Sequence, residues 1–345
     1  MHFYVSIVRN SHLPLVKEGE GYNLVEPIVK VENLETTFQT RLGPFRAVNN
    51  ISYEINKGET LGVVGESGCG KSVTSFSLMR LIENPGKVTN GKVFLNGRDI
   101  LSLNEHEIES VRGGEMAMIF QEPMTALNPV LTIGRQLDEQ IMRHMKLNQN
   151  DSKDRAIEML SLVGIPSPAE RYQSYPHQLS GGMRQRAMIA MALSCNPKFL
   201  IADEPTTALD VTIQAQILEL IQGLQEKLNM TVQFITHDLG VISEISDRVM
   251  VMYAGQTCEI ASAQDLFLNP RHPYTAALIS SRPKLGNRVE KLNTIEGSVP
   301  APHELPKGCA FQNRCHRAKE ECKMHQPPLT TFKQGHQVAC FNPVT

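Results

Sequence analysis

The sequence predicts an α/β fold with a mainly parallel sheet, because short apolar runs alternate with segments of helical periodicity. Near-continuous apolar runs are typical of strands covered on both faces. Five such runs are Thr60–Val64, Met116–Phe120, Phe199–Ala202, Thr231–Ile235 and Arg248–Tyr253. Apolar residues at helical spacing predict helices at about 133–145 and 213–228. The stretch from about 123 to 178 has helical patterns and no convincing strand, so we expect a helical insert beside the sheet.

The composition of the 345-residue chain is that of a globular protein. Apolar residues make up 41% and charged residues 20%, with 34 Lys and Arg against 36 Asp and Glu. This near-neutral charge gives no reason to expect nucleic acid as a partner. No stretch has the roughly 20 uninterrupted apolar residues of a membrane span. The first residues also lack the small-residue cleavage site of a signal peptide, so we expect a soluble, cytoplasmic protein.

The composition changes near residue 270. The last 75 residues hold 11 basic and 5 acidic side chains, 8 of the 20 prolines and 4 of the 7 cysteines. Such a shift is typical of a domain boundary. The chain before residue 24 has no clear periodicity. We therefore predict an irregular N-terminal extension at 1–23, a main domain at 24–270 with a helical subdomain at about 123–195, and an irregular C-terminal extension at 271–345.

The segment Gly65–Ser72 is a full match to the pattern G-x-x-x-x-G-K-[ST] of a phosphate-binding loop, the P-loop. Its glycines allow the backbone N–H groups from about Ser67 to Ser72 to point at phosphate oxygens. The helix that follows adds its positive N-terminal end. Lys71 supplies charge to the β- and γ-phosphates, and the Ser72 hydroxyl can ligate Mg²⁺. A Gly-rich turn with an exposed lysine is the alternative, which the flanking strand and helix patterns disfavour.

Two adjacent carboxylates follow the apolar run Phe199–Ala202. Because side chains alternate along a strand, Asp203 and Glu204 point in different directions. This arrangement suits Asp203 in the Mg²⁺ shell and Glu204 facing the water that attacks the γ-phosphate. Alone, the pair is more simply a solvated turn. Downstream of a P-loop, the catalytic interpretation is favoured.

A second anion-binding helix start is predicted at Leu179–Gln185, whose sequence is LSGGMRQ. Ser-Gly-Gly ahead of a helix places backbone N–H groups at its positive end. One chain rarely needs two phosphate cradles for one nucleotide. This cradle can therefore serve a nucleotide held by another subunit, with an ordinary capped helix start as the alternative.

Taken in order, the P-loop, LSGGMRQR, LIADE, the ALD triplet at 208–210 and the THD triplet at 236–238 resemble the motifs of ABC transporter nucleotide-binding subunits. The resemblance extends from about residue 24 to the end. It implies a P-loop ABC ATPase core and a head-to-tail dimer, with ATP between one subunit's P-loop and the partner's signature loop. It implies nucleotide binding by Phe38, Gly65, Ser67, Gly68, Cys69, Gly70, Lys71, Ser72 and Val73, and ATP contacts to the partner subunit's nucleotide by Ser180, Gly181, Gly182 and Asp210.

The same resemblance assigns the chemistry. It implies catalysis by Glu204, His237 and Gln121, and a Mg²⁺ ion held by Ser72, Gln121 and Asp203. Gln121 lies in the loop that leads to the helical subdomain, where a membrane subunit would dock. Phe38 resembles the aromatic residue that stacks on adenine, with Phe45 as the alternative. Met183 departs from the commonest signature, which has glutamine there, but the serine and both glycines are kept and activity is expected.

Two further segments, MYAGQ at 252–256 and PRHPYT at 270–275, resemble the ATPases of bacterial dipeptide and oligopeptide importers. The resemblance implies a peripheral subunit at the cytoplasmic face of the cell membrane. Its implied partners are a second ABC ATPase subunit (a copy or a paralogue), two transmembrane permease subunits and an extracytoplasmic peptide-binding protein. An importer of metal chelates or other small cargo is one alternative. A soluble, non-transport ABC ATPase is disfavoured, because it would carry two cassettes or a long coiled-coil insertion.

Four cysteines of the C-terminal extension, Cys309, Cys315, Cys322 and Cys340, are separated by 5, 6 and 17 residues. This proline-rich segment is poor in apolar residues, so we expect a metal to hold it together. Disulfides are disfavoured in a cytoplasmic ATPase. Zinc usually takes cysteine pairs that are closer in sequence, whereas a [4Fe–4S] cluster tolerates wider spacing. Peptide-importer ATPases with this tail also resemble iron–sulfur proteins. We therefore predict a [4Fe–4S] cluster, with zinc or free thiols as alternatives.

Overall fold

The computed structural model describes residues 27–122, 126–207, 210–281 and 295–345. The predicted N-terminal extension at 1–23 lies outside these residues, as do Ala208 and Leu209. The described strands are β1 (Val29–Thr40), β2 (Gly43–Ile55), β3 (Thr60–Val64), β4 (Gly86–Leu95), β5 (Arg98–Asp99), β6 (Met116–Ile119), β7 (Phe199–Asp203), β8 (Thr231–Ile235), β9 (Arg248–Tyr253), β10 (Gln256–Ser262), β11 (Thr330–Lys333) and β12 (His336–Val338).

The described helices surround these strands. They are α1 (Lys71–Leu78), α2 (Glu105–Val111), α3 (Ile133–Met145), α4 (Gln149–Leu162), α5 (Pro168–Tyr172), α6 (Gly181–Leu193), α7 (Val211–Leu228), α8 (Leu239–Ile245), α9 (Ala263–Leu268), α10 (Pro273–Ser280) and α11 (Glu320–Met324). None of these helices combines the length and apolarity needed to cross a membrane.

The main sheet has eight strands within the described residues, in the order β11-β12-β10-β9-β3-β8-β7-β6. Strands β9, β3, β8, β7 and β6 are parallel to one another and are the five apolar runs of the sequence. Strands β10, β12 and β11 extend this core in antiparallel pairs. The sheet is therefore mixed: the prediction of parallel strands holds for its five central and terminal strands β9, β3, β8, β7 and β6, and the strands of the other edge are antiparallel.

A second, wholly antiparallel sheet has the order β2-β1-β4-β5 and was not predicted. Its buried side chains, among them Val31, Leu34 and Ile51, pack in one hydrophobic cluster with Leu78 of α1 and with one face of β3. The Thr36 and Ser77 hydroxyl oxygens lie 2.6 Å apart across this contact. The sheet thereby supports the helix that follows the P-loop.

The other face of the main sheet packs on the helices of the predicted insert. Helices α3 to α6 occupy the described part of 123–195, and their buried residues join one cluster with β7 and β8. Leu137 and Ile141 of α3 belong to it, as do Met159 of α4 and Ile189 of α6. A hydrogen bond from the Tyr172 hydroxyl to Asp138 joins α5 to α3.

The C-terminal extension is more ordered than expected. Its described residues include α10, α11 and the hairpin β11–β12, and β12 pairs with β10 of the main domain. Tyr274 and Phe311 are buried against Tyr253 of β9, with ring centroids 4.7–5.3 Å apart. The expectation of an irregular extension was therefore wrong for these residues, because they add strands and aromatic rings to the main sheet's core.

Candidate nucleotide-binding site

The P-loop joins strand β3 to helix α1, as the sequence predicts, and its glycines are required by its backbone. Gly70 caps α1 at φ 100°, and a Cβ there would lie 2.5 Å from the Ala47 carbonyl oxygen. Gly68 has φ 77°. A Cβ on Gly65 would lie 2.3 Å from the Met252 carbonyl oxygen. Close approach and left-handed backbone therefore exclude larger residues from this turn.

Lys71 is held across the P-loop. Its side chain is buried at 6% exposure, and its Nζ donates to the carbonyl oxygens of Gly65 at 2.8 Å and Glu66 at 3.1 Å. The neighbouring Cys69 thiol is also buried, and burial raises its pKa. Val73 is half-buried and packs against the core. The Lys71 ammonium group is therefore held by the backbone of the same loop that is predicted to bind phosphate.

Ser72 and Asp203 meet as the predicted Mg²⁺ ligands require. The Ser72 Oγ donates to Asp203 Oδ1 at 3.1 Å, and Asp203 is 2% exposed at the end of β7. Burial raises the pKa of this carboxyl, while the hydrogen bond from Ser72 opposes the rise. A hydroxyl beside a carboxylate is an oxygen donor set of the kind that Mg²⁺ takes.

Glu204 is the meeting point of the predicted catalytic residues. Its Oε2 accepts hydrogen bonds from Gln121 Nε2 at 3.1 Å and from Thr207 Oγ1 at 2.8 Å. Its Oε1 lies 3.3 Å from Nδ1 of the exposed His237. The backbone of Glu204 has φ 46°, a strained conformation for a non-glycine residue that is enriched at functional sites.

Two residues at this site were not singled out from the sequence. Thr207 follows Glu204 by three residues in the same turn, and its hydroxyl donates to the Glu204 carboxylate. This three-residue spacing is the only feature of the sequence that could have pointed to Thr207. Gln185 of α6 is buried and donates from Nε2 to the Pro205 carbonyl oxygen at 2.5 Å. It therefore connects the signature helix to the turn that carries Glu204.

The signature residues lie at an exposed helix start. Ser180 caps α6, and its Oγ accepts from the Met183 N–H at 3.3 Å. Asp210 caps α7 in the same way through the Ile213 N–H at 3.0 Å. Ser180, Gly181 and Asp210 are exposed. No hydrogen bond of the described residues joins Ser180 to the P-loop of its own chain.

The two candidate adenine-stacking residues oppose each other. Phe38 of β1 and Phe45 of β2 are directly paired in register, and both are half-buried. Phe38 packs tightly on Gly86, where a Cβ would lie 2.5 Å from the Phe38 ring. Both rings therefore lie at one end of the antiparallel sheet.

The four cysteines of the extension line one small cavity. Each sulfur accepts a backbone N–H: Cys322 from Lys319 at 3.4 Å, Cys340 from Asn342 at 3.3 Å, Cys309 from Phe311 and Cys315 from Arg317. Burial raises the pKa of the Cys309 thiol to about 11. As placed, no group of three or more His, Cys, Asp or Glu side chains among the described residues could hold a metal ion.

Two family models match this chain. The model for ABC transporters matches residues 48–207, which contain the P-loop, the signature loop and Glu204. The model for the oligopeptide/dipeptide transporter C-terminal region matches residues 258–322, which contain three of the four clustered cysteines. A dimeric structure of the ATP-binding cassette MJ0796 bound to ADP and Pi covers 68% of this chain and 98% of its own, at 28% identity and a TM-score of 0.62.

Full-length relatives agree with these matches. The oligopeptide transport ATP-binding protein AppD of Bacillus subtilis is 52% identical over 315 residues, covering 91% of this chain and 96% of AppD. The dipeptide transport ATP-binding protein DppD of Escherichia coli is 48% identical over 317 residues, covering 92% and 97%. The resemblance predicted from the motifs is confirmed. The chain belongs to the ABC transporter family of ATPases, among the ATP-binding subunits of dipeptide and oligopeptide importers.

Proposed function

We propose that this chain hydrolyses ATP to power the import of di- or oligopeptides through transmembrane permease partners. The observation that carries the proposal is the convergence of Gln121, Thr207 and His237 on Glu204. Glu204 and Asp203 share the end of β7, and Asp203 contacts Ser72 of the P-loop. A peptide cargo is supported by the relatives, which are an oligopeptide and a dipeptide transport ATP-binding protein, and by the match to the C-terminal family model.

Each residue at the site has a proposed role in hydrolysis. Backbone N–H groups of 67–72 and Lys71 bind the triphosphate, and Phe38 stacks on the adenine. Ser72, Asp203 and Gln121 would hold Mg²⁺, which supplies positive charge to the phosphates. Glu204 accepts the proton of the attacking water, and His237 contacts the γ-phosphate. Thr207 keeps the Glu204 carboxylate in place during proton transfer.

A second ATPase subunit, a copy or a paralogue, completes the site. Ser180, Gly181, Gly182 and Asp210 would contact ATP held by that subunit. The exposure of Ser180, Gly181 and Asp210 supports this role. Val211 at the start of α7 is also exposed although it is apolar. Two permease subunits and an extracytoplasmic peptide-binding protein complete the proposed importer. The ATPase is held by them at the cytoplasmic face of the membrane.

Complementation between two inactive variants tests the shared site if the partner is a copy. Lys71→Ala removes a P-loop contact, and Ser180→Ala removes a signature contact. A mixed dimer then has one site with both defects and one intact site. Mixing the two variants should therefore restore ATP hydrolysis that neither has alone. Mixtures that stay as inactive as their components, when co-purification proves mixed dimers, would contradict sites shared between subunits.

Purification of the whole complex tests the transport function. The chain should co-purify with two permease subunits and a binding protein, and ATP hydrolysis in vesicles should rise when di- or oligopeptide is added to the binding protein. A complex that responds to a metal chelate and to no peptide would instead assign the alternative cargo.

We also propose that Cys309, Cys315, Cys322 and Cys340 hold a [4Fe–4S] cluster. Four thiols line one cavity, and each sulfur accepts a backbone N–H, which is the donor chemistry of a thiolate-bound metal centre. The described side chains as placed form no metal-binding group, so binding of the cluster would require them to rearrange. When bound, the cluster would cross-link the extension. Anaerobically purified protein should be brown, with about four iron and four sulfide per chain. Cys315→Ser should lose this iron, while Cys195→Ser, in the main domain, should keep it. Colourless protein with about one zinc per chain would favour the zinc alternative.

A further inference from the structure

The C-terminal extension contacts the P-loop through Arg314. Its Nη1 donates to both carboxylate oxygens of Glu66, at 3.1 Å and 2.9 Å, across 248 residues of chain. Glu66 is the second residue of the P-loop. The Arg314 side chain is 8% exposed and that of Glu66 is 26% exposed. This is therefore a largely buried ion pair with charge-assisted hydrogen bonds, which are stronger than those between neutral groups.

The guanidinium of Arg314 is held in place from every side. Its Nε donates to the Glu296 carbonyl oxygen at 2.9 Å, and its Nη2 lies 3.3 Å from the carbonyl oxygens of Ile295 and Gly297. The group also lies over the rings of Tyr253 and Phe311, 5.8 Å and 5.9 Å from their centroids. Arg314 is thus a rigid part of the extension and not a mobile surface side chain.

Glu66 is held by its backbone as well as by its carboxylate. Its N–H donates to the buried Tyr274 hydroxyl at 2.9 Å, and its carbonyl oxygen accepts from Lys71 Nζ at 3.1 Å. Tyr274 belongs to α10, so two separate parts of the extension hold one P-loop residue. That residue in turn contacts the lysine predicted to bind phosphate.

We propose that Arg314 is a positioning residue for the ATP site. It holds the first turn of the P-loop in place before ATP binds. Less conformational entropy of the loop is therefore lost when the triphosphate binds. It also neutralises the Glu66 carboxylate, which would otherwise repel the triphosphate from within its own binding loop. Arg314 has no proposed contact with ATP and acts only through Glu66. The proposal rests on the assignment of residues 65–72 to ATP binding.

The position of Arg314 in the sequence adds a link to the cysteine segment. Arg314 directly precedes Cys315, and Phe311, which its guanidinium covers, lies between Cys309 and Cys315. Arg314 and Phe311 therefore belong to the cysteine segment, and Arg314 also holds Glu66 of the P-loop.

The affinity of the full-length protein for MgATP, measured by isothermal titration calorimetry, tests the proposal. Arg314→Ala should raise the Kd about tenfold, because only part of the population keeps a binding-competent loop. The KM for ATP should rise with it while kcat changes little, since Glu204 is untouched. Arg314→Lys should restore part of the affinity. Lys333→Ala is the matched control: it removes an ion pair that joins the extension to Asp265 of the main domain. Its Kd should stay at the wild-type value.

Charge removal separates positioning from general damage to the fold. If Arg314 acts through Glu66, the double variant Glu66→Gln, Arg314→Ala should bind MgATP more tightly than Arg314→Ala alone. An unchanged Kd in Arg314→Ala, an equal rise in Lys333→Ala, or a double variant weaker than the single one would each overturn the proposal. Lys71→Ala reports on the underlying assignment. Full affinity in that variant would remove the P-loop as the ATP site, whereas lost affinity there with an unchanged Arg314→Ala would remove only the role of Arg314.

Discussion

Replacing His272 by asparagine should remove a pH dependence from the stability of the protein. His272 is the residue before α10, is 2% exposed, and accepts the Tyr274 N–H on Nδ1 at 3.0 Å. Burial lowers its pKa from 6.5 to about 4. The unfolded chain therefore binds more protons at this residue between these two values. The stability that neutral His272 contributes is complete above pH 6.5 and is lost as the pH falls towards 4.

The size of this effect follows from the two pKa values. A pKa lowered by about 2.5 corresponds to about 3 kcal/mol in full, of which about 2 kcal/mol is lost between pH 7 and pH 5. Asparagine can accept the same N–H as a helix N-cap and does not titrate. Urea unfolding, followed by circular dichroism at both pH values, should show that wild type loses about 2 kcal/mol more unfolding free energy than His272→Asn.

The exposed His106 provides the control for this prediction. His106→Asn changes the same residue type without removing a buried ring, so it should lose stability with falling pH as wild type does. Equal losses in wild type and His272→Asn would refute the reasoning, because every other titrating group is common to the two proteins.

Three further substitutions test separate parts of the structure. Glu204→Gln keeps the shape of the side chain and a partner for Thr207, so MgATP should still bind and a closed dimer should accumulate in gel filtration. Phosphate release should fall by about 10²- to 10⁴-fold, and wild-type turnover would remove Glu204 from its role. Gly308→Ala places a Cβ 2.1 Å from the Cys322 carbonyl oxygen, so the backbone beside two of the proposed cluster ligands must shift. If the proposed cluster is present, metal analysis should find less iron in this variant, and full retention would contradict the prediction. Gly223→Ala, in open space on α7, should instead raise the unfolding free energy by about 0.5–1 kcal/mol in urea; a loss would contradict the open site.

The centre of the fold was predictable because burial on both faces leaves a local signature. Strands β3, β8 and β9 were predicted with the bounds observed, and β6 and β7 to within one residue. The site followed from the same strands. Because carboxyl ends of parallel strands meet at one edge of a sheet, Asp203 at the end of β7 comes to lie beside the P-loop after β3.

The antiparallel sheet had no such signature. Strand β1 changes register between Val31 and Leu34 and again before Thr36 and Thr37, and Asn33 has φ 48°. These irregularities interrupt the two-residue alternation on which strand prediction depends. In the extension, β11 is exposed along its whole length and β12 has three residues, so neither could be distinguished from a loop.

Contacts between residues far apart in the sequence could not be predicted from local sequence patterns. The signature loop was found because a motif marks it, whereas Gln185 and Thr207 act through turns whose geometry is set by packing. The Arg314–Glu66 pair spans 248 residues. Glu66 fills a position of the P-loop pattern that any residue may occupy, and Arg314 belongs to no motif, so the pattern gave no signal for this contact. Motifs therefore indicated candidate ligand-binding residues, while the residues that hold them in place belong to no such pattern.

Three buried rings give the extension a physical route to the P-loop that requires no contact with a nucleotide. Tyr253 lies on β9, Tyr274 on α10 and Phe311 between two of the clustered cysteines, and all three are buried in mutual contact. Interiors packed this closely transmit displacement, because a ring that moves must displace its neighbours. A shift of Phe311 therefore acts on Tyr274, whose hydroxyl holds the Glu66 N–H. The cysteine segment and the phosphate loop consequently contact the same three buried rings. A change in the packing of the cysteine segment can therefore reach the P-loop through these side chains.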